Sequence, residues 1–244
     1  MKIKFLPLGK MVIVTCIVIL SIILINSSIK EFPRFSKIIS GSSWFLPTLV
    51  HVPQFLLPFL VIICLSKGHL EKYGFNLNES PPFFTRCNML KIGVTFGSFL
   101  SFKYIPQIIT NKTIDIPRPI TPINILGSLV FQWVIVGLCE ETMFRGLIQT
   151  YLMDSLQGNV RFFQHDLHIG TVISAIIWGL FHFINILVMP WNSTLLTVFL
   201  TTIAGLPMGY AYQETRSLFT TIIIHNTLFA IPLLIGYIIY FLFC

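Results

Sequence analysis

Long apolar runs alternate with short polar segments along the whole chain. A membrane-spanning helix needs about 20 mostly apolar residues, and seven runs are long enough: residues 11–29, 44–65, 90–109, 125–152, 171–188, 194–212 and 218–243. Apolar residues are continuous within the runs and do not alternate with polar ones, which favours helices over a membrane β-barrel. The pattern therefore predicts an all-α fold, a polytopic membrane bundle of about seven or eight transmembrane helices.

Two of these runs leave the number of spans open. Lys91 and Lys103 lie within the third run and make it the weakest of the predicted spans. Pro232 lies within the last run, and proline inside a helix produces a kink or a break. The last run is therefore predicted to be either one kinked span or two shorter segments.

The composition supports a membrane protein. Hydrophobic residues make up 55% of the 244 residues and charged residues only 10%, whereas soluble domains have about 25% charged residues. The formal net charge is +7, but the basic residues are scattered singly and form no aromatic-interleaved patch, so no nucleic-acid partner is expected. The five cysteines include no CxxC pair, which argues against a disulfide framework.

The polar connections predict how the chain is inserted. Lys2, Lys4 and Lys10 precede the first apolar run, and no small-x-small cleavage site follows it, so this run is interpreted as a retained span. With a cytoplasmic N-terminus, the inner connections hold more Lys and Arg than the outer ones, as the positive-inside rule requires. The chain is predicted to be one integrated, multi-pass membrane domain, with N-terminal helices and loops at 1–120 and a functional core at 121–244.

The fourth predicted span contains three ionisable residues: Glu140, Glu141 and Arg145. A charge in mid-span costs about 2.5–3.5 kcal/mol on the insertion scale. Glu141 and Arg145 are four residues apart on one helical face and can pair, whereas Glu140 points about 100° away. The three residues could form a purely structural ionic cluster, but that would leave the second glutamate unexplained.

Later spans contain further polar residues. Trp178 and His182 share a face of the fifth span and Asn185 follows, while His225 and Asn226 lie in the last span. Each histidine taken alone is explained equally well as a packing residue. Because successive helices alternate in direction, however, these residues and Glu140 fall in one half of the bilayer, about 10–20 Å from the same side. A single site is therefore predicted.

Three further histidines and several small residues are explained by structural roles. His51, near Pro53, is interpreted as a packing or interfacial residue, and His165 and His168 as solvated loop residues. Small residues let helices approach closely in membranes, and we expect such contacts at Gly137, Gly146, Ala175, Gly179, Gly205 and Gly209.

These residues resemble the motifs of the CPBP family, also called the CAAX-protease-and-bacteriocin-processing or Abi family of intramembrane peptidases. Glu140, Glu141 and Arg145 match its EExxxR motif, and Trp178 to His182 matches FxxxH with one aromatic exchange. The family's third motif, a histidine on a later span often written HxxxN, is matched at His225. The similarity covers roughly residues 121–232. Phe229 stands where the family has asparagine.

The resemblance implies an intramembrane endopeptidase that hydrolyses a membrane-associated protein or peptide precursor. We expect Glu140 to activate water, helped by His182, and His225 to polarise the carbonyl group together with Asn226 or Asn185. Glu141 and Arg145 would be a supporting pair. No cofactor is required in this interpretation, although Glu140, His182 and His225 could instead hold zinc.

Two non-enzymatic interpretations stay open. Without the family's asparagine, the protein could be a membrane scaffold or a bacteriocin self-immunity protein. An ion-coupled transporter would also use buried charges, but such proteins often show two related halves, and the sequence has no such symmetry. The lipid bilayer and a membrane-associated peptide or protein are the expected partners, and the short chain favours a bacterial plasma membrane.

Overall fold

The computed structural model describes residues 5–31, 38–77, 81–110, 114–162 and 164–243. Lys2 and Lys4, used above to orient the chain, lie outside these residues. The helices are α1 Phe5–Glu31, α2 Phe45–Ser66, α3 Arg86–Leu100, α4 Ile105–Ile109, α5 Pro122–Ser155, α6 Ile169–Phe181, α7 Trp191–Thr215 and α8 Leu218–Phe243. Short 3-10 helices lie at Leu70–Tyr73, Pro82–Phe84, Ser101–Tyr104 and His182–Leu187.

Within the described residues, six helices are long and apolar enough to cross a membrane: α1, α2, α5, α6 with its 3-10 extension, α7 and α8. The helical membrane bundle predicted from the apolar runs is therefore confirmed. The weak third run is divided into α3, a 3-10 turn and α4, and α3 packs along α8. Pro232 lies inside the continuous helix α8, so the last run is a single helix.

A β-hairpin was not predicted. Strands β1, Asn159–Phe162, and β2, His165–His168, form an antiparallel pair within the connection between α5 and α6. His165 and His168 therefore lie on a strand, not in an irregular loop. The ring of His168 caps α6, because its Nδ1 accepts a hydrogen bond from the Gly170 amide at 3.0 Å.

Contacts between loops place the ends of several helices at one side of the bundle. After α2, Lys72 Nζ lies 3.0 Å from Asp154 Oδ2 near the end of α5, and this carboxylate raises the pKa of the Lys72 amine. The Gly74 carbonyl accepts a hydrogen bond from the Leu218 amide at the start of α8. The ends of α2 and α5 therefore lie beside the start of α8.

Small residues bring α6 and α7 together, as expected from the sequence. A Cβ atom at Gly205 would lie 3.0 Å from the Ala175 methyl group and 3.0 Å from the Trp178 ring. One added at Gly179 would overlap the Thr202 hydroxyl group. The close approach of α6 to α7 fixes the position of Trp178, which is 1% exposed.

The long helix α5 changes its winding twice. Residues Phe131–Ile135 and Thr142–Gln149 are π-helical, separated by the α-helical residues Val136–Glu141. Short π-helical segments are rare and frequently occur at functional sites. The two glutamates lie at the end of the α-helical segment between them.

Candidate active site

Four helices contribute to one interior cluster of polar side chains. Helix α5 contributes Glu140, Glu141 and Arg145, the end of α6 contributes Trp178 and His182, α8 contributes His225, and α2 contributes His51. Glu141 is 0% exposed, Arg145 1%, His225 2% and Glu140 7%. Charges so far from solvent persist only when they are paired or hydrogen-bonded.

Glu141, Arg145 and His225 form a linked set. Arg145 Nη1 lies 3.2 Å from Glu141 Oε1, and the same oxygen lies 2.8 Å from His225 Nδ1. The carboxylate can only accept, so Nδ1 of His225 donates and Nε2 points onward toward Glu140. The Arg145 guanidinium also lies 4.4 Å from the centre of the Trp178 ring, a favourable cation–π distance.

Glu140 has different partners from its neighbour in the chain. Its Oε2 accepts a short hydrogen bond of 2.6 Å from the indole Nε1 of Trp178 and lies 4.0 Å from His225 Nε2. Its Oε1 faces His51, whose Nε2 is 3.6 Å away. One carboxylate oxygen is thus held by a strong donor, and the other is directed toward an imidazole.

His182 lies where α6 passes into its 3-10 extension. Its Nδ1 is 2.8 Å from the Trp178 carbonyl oxygen, and its ring meets the Trp178 indole edge-on with 5.7 Å between ring centres. His182 is half-buried, unlike His225. The Trp178 ring also contacts His225, at 5.6 Å between ring centres, so it touches both imidazoles while its indole N–H binds Glu140.

His51, interpreted from the sequence as a packing or interfacial residue, also lies beside Glu140. It lies on α2, its ring meets Phe131 edge-on at 5.1 Å, and its Nδ1 is 2.7 Å from the Pro47 carbonyl oxygen. The signal that points to this position is depth. His51 lies about 14 residues before the end of its predicted span, 44–65, and Glu140 about 12 residues before the end of its own, 125–152. These two spans run in the same direction if the third run crosses the membrane.

The two asparagines differ in their contacts. Asn226 bonds to the backbone of α5: its Nδ2 donates to the Trp133 carbonyl at 2.8 Å, and its Oδ1 accepts from the Gly137 amide at 2.9 Å. It therefore bridges the first π-helical segment. Asn185 lies on the 3-10 extension of α6, and its side chain makes no hydrogen bond within the part of the chain that the structure describes.

Phe229 lies against the site at the position of the family's asparagine. Its ring centre is 5.2 Å from that of His225. The fourth residue after His225 thus faces the same side of α8 as this histidine, but it presents an aromatic ring where the family presents an amide.

The zinc alternative requires three ligand side chains close together. Within the described residues, no three His, Cys, Asp or Glu side chains are grouped closely enough to hold a metal ion. The Glu140 oxygens lie 3.6 Å from His51 Nε2 and 4.0 Å from His225 Nε2, which are separations between side chains and not distances to a metal ion.

The fold and the site together define a polytopic membrane protein that keeps ionisable side chains in one interior cluster, away from lipid. Residues 122–231 match the model of a family described as type II CAAX prenyl endopeptidase Rce1-like. The match lies over the same part of the chain as the motifs and confirms their resemblance to the CPBP family, a family of membrane proteases. No curated protein and no solved structure matches the chain.

Proposed function

We propose that the protein is an intramembrane endopeptidase in which Glu140 is the general base. The observation that carries this proposal is the environment of its carboxylate, which is buried among three side chains from three helices: Trp178, His225 and His51. A carboxylate held by one donor and open on its second oxygen can accept a proton from a water molecule.

The reaction would proceed by direct attack of water. Glu140 takes one proton as the water oxygen bonds to the peptide carbonyl carbon. His225 acts as an imidazolium, with hydrogen on both ring nitrogens, and its Nε2 donates a hydrogen bond to the carbonyl oxygen as it becomes negative. The tetrahedral intermediate then collapses with cleavage of the C–N bond. The proton on Glu140 passes to the departing amine, which restores the carboxylate.

The surrounding residues receive supporting roles. Glu141 orients the His225 ring through Nδ1 and counterbalances the charge on Arg145. His182, half-buried beside Trp178, helps to orient the water and the scissile peptide. Asn226 is assigned a positioning role, because both ends of its amide bond to the backbone of α5.

An open apolar groove beside the site favours a substrate from the membrane. It has a volume of about 200 Å³ and lies between α2 and α5, where it is lined by Thr48, Val52, Phe55, Leu56, Ile135, Leu138 and Cys139. Cys139 immediately precedes Glu140. We propose that a lipid-modified or membrane-embedded peptide reaches the site through this groove, in agreement with the prenyl endopeptidase description of the matching family.

The test compares the peptides of cells that carry the wild-type protein or Glu140→Gln, an isosteric change that removes the base. We expect one or more membrane-associated precursors to accumulate with Glu140→Gln. Glu214→Gln, at the exposed end of α7, is the matched control and should leave the peptides as in wild type. Identical peptide profiles for all three proteins at equal expression would contradict an endopeptidase.

A scaffold or self-immunity role is the second candidate, and Phe229 is the observation that favours it. The ring beside His225 supplies no hydrogen-bond donor for an oxyanion. Under this alternative, Glu140→Gln would retain the protective or assembly phenotype of the wild-type protein.

A further inference from the structure

We propose that His51 is a further catalytic residue, which holds the attacking water together with Glu140. The inference rests on the proposed function, because it assigns a partner to the same general base. His51 lies on α2 and outside residues 122–231, so the match to the family says nothing about it.

The hydrogen bonding of the ring determines which nitrogen faces Glu140. Nδ1 of His51 lies 2.7 Å from the Pro47 carbonyl oxygen, four residues earlier on α2. A carbonyl oxygen only accepts hydrogen bonds, so Nδ1 carries a hydrogen and, in the neutral ring, Nε2 carries a lone pair. His51 therefore presents an acceptor to Glu140.

Two acceptors that face each other need a donor between them. His51 Nε2 and Glu140 Oε1 are 3.6 Å apart, and a water oxygen can lie about 2.8 Å from each of them at once. One water would then donate one hydrogen to the carboxylate and the other to the imidazole. Its lone pairs would be left free to attack a carbonyl carbon.

The neighbouring residues hold the imidazole in place. The Phe131 ring packs edge-on against His51 at 5.1 Å between ring centres, and the bond to Pro47 fixes the ring plane. A ring fixed in this way restricts the water to one orientation, which lowers the entropy lost on reaching the transition state.

The position of His51 also agrees with the proposed route of the substrate. Thr48 and Phe55 lie three residues before and four residues after His51, on the same face of α2, and both line the apolar groove. A peptide carbonyl that enters from this groove would meet the Oε1 side of Glu140. On the Oε2 side, Trp178 would hold the Glu140 carboxylate in place, and His225 would polarise the peptide carbonyl group.

The experiment uses full-length protein in liposomes and the precursor that accumulates with Glu140→Gln. We expect His51→Leu to lower kcat about 10- to 100-fold, within the range of positioned acid–base groups, with little change in KM. His51→Gln keeps an acceptor near the position of Nε2 and should recover part of the lost rate. His69→Gln, in the exposed loop after α2, is the matched control and should retain wild-type rates.

The outcomes separate this inference from the proposed function. Inactive Glu140→Gln with wild-type kcat in His51→Leu would overturn the role of His51 alone. Equal losses in His51→Leu and His51→Gln, together with equally lowered thermal unfolding midpoints, would show a packing role and would also overturn it. If no precursor accumulates with Glu140→Gln, the endopeptidase proposal fails and the role of His51 fails with it.

Discussion

At the scale of residues, Glu140 and Glu141 show how neighbours in a helix acquire different tasks. Their side chains leave the helix about 100° apart. Glu141 therefore meets Arg145 and His225, while Glu140 meets Trp178 and His51. Glu140 directs its Oε1 toward His51, 3.6 Å away.

The indole of Trp178 gives the sharpest prediction at this scale. Trp178→Phe keeps an aromatic ring beside Arg145 but removes the 2.6 Å hydrogen bond to Glu140. A hydrogen bond to a charged group is worth about 1.5–3 kcal/mol, so we expect kcat to fall about 10- to 100-fold in a liposome assay. Trp191→Phe, at the exposed start of α7, is the control; equal rates for both variants would contradict the role of the indole.

The buried ion pair predicts strong coupling between its members. Removing one partner of a buried pair costs about 3–5 kcal/mol, so Glu141→Gln and Arg145→Met should each lower the thermal unfolding midpoint of the purified protein. The double variant should lose less than the sum of the two, because no unpaired charge remains. Additive losses would show that Glu141 and Arg145 do not depend on each other.

At the scale of elements, α8 bonds to α5 at its first π-helical segment. A π-helical segment disturbs the regular backbone pairing, and the amide of Asn226 bonds to the Trp133 carbonyl and the Gly137 amide. This contact sets the rotation of the segment that follows, and that segment carries both glutamates. Asn226 of α8 thereby helps to orient Glu140 and Glu141 on α5.

Asn226→Leu tests this contact. It leaves a buried amide and a buried carbonyl without their partner, each costing about 1–3 kcal/mol, so we expect a lower thermal unfolding midpoint and a lower kcat. Asn226→Asp keeps the acceptor for Gly137 and should lie between Leu and wild type. Asn192→Leu, exposed at the start of α7, is the control for stability; an equally small effect at both positions would contradict the bridging role.

The contact between α6 and α7 predicts that a substitution at Gly205, which does not touch Glu140, changes the catalytic rate. Gly205→Leu inserts a side chain where Ala175 and Trp178 already lie 3.0 Å from an added Cβ atom, and overpacking of this kind typically costs about 1–3 kcal/mol. Displacing Trp178 should weaken its bond to Glu140, so both thermal stability and kcat should fall. Gly9→Leu, where an added Cβ meets nothing within 4 Å, is the control, and a Gly205→Leu protein with wild-type kcat would contradict the link.

At the scale of the whole molecule, the site is assembled from both halves of the chain. The family match covers residues 122–231, but His51 comes from α2, which packs along α5. The contacts of Lys72 with Asp154 and of Gly74 with Leu218 hold the loop after α2 against the ends of α5 and α8. The helices before residue 121 are therefore part of the proposed active site.

Removal of metal is the test that belongs to this scale, because it probes the complete protein. We expect activity in liposomes to survive treatment with a chelator, and metal analysis of the active protein to find far less than one zinc per chain. Stoichiometric zinc, with activity lost to the chelator and restored by zinc, would replace the proposed mechanism with a metallopeptidase.

The sequence by itself determined the membrane fold and the local geometry of the charged motif. Spans follow from run length, since a lipid environment requires long apolar helices that satisfy their own backbone groups. The pairing of Glu141 with Arg145 follows from one turn of helix. Both features depend on residues close together in the chain.

Only the tertiary structure decided which side chains meet across helices. The place of His51 at Glu140, the donor role of Trp178 and the backbone contacts of Asn226 depend on the rotation and depth of α2, α6 and α8. In a membrane, apolar residues face both lipid and neighbouring helices, so the apolar pattern carries little information about rotation. The rotation of each helix is set by close contacts at Gly205 and other small residues. These contacts can be identified only when the partner helix is known.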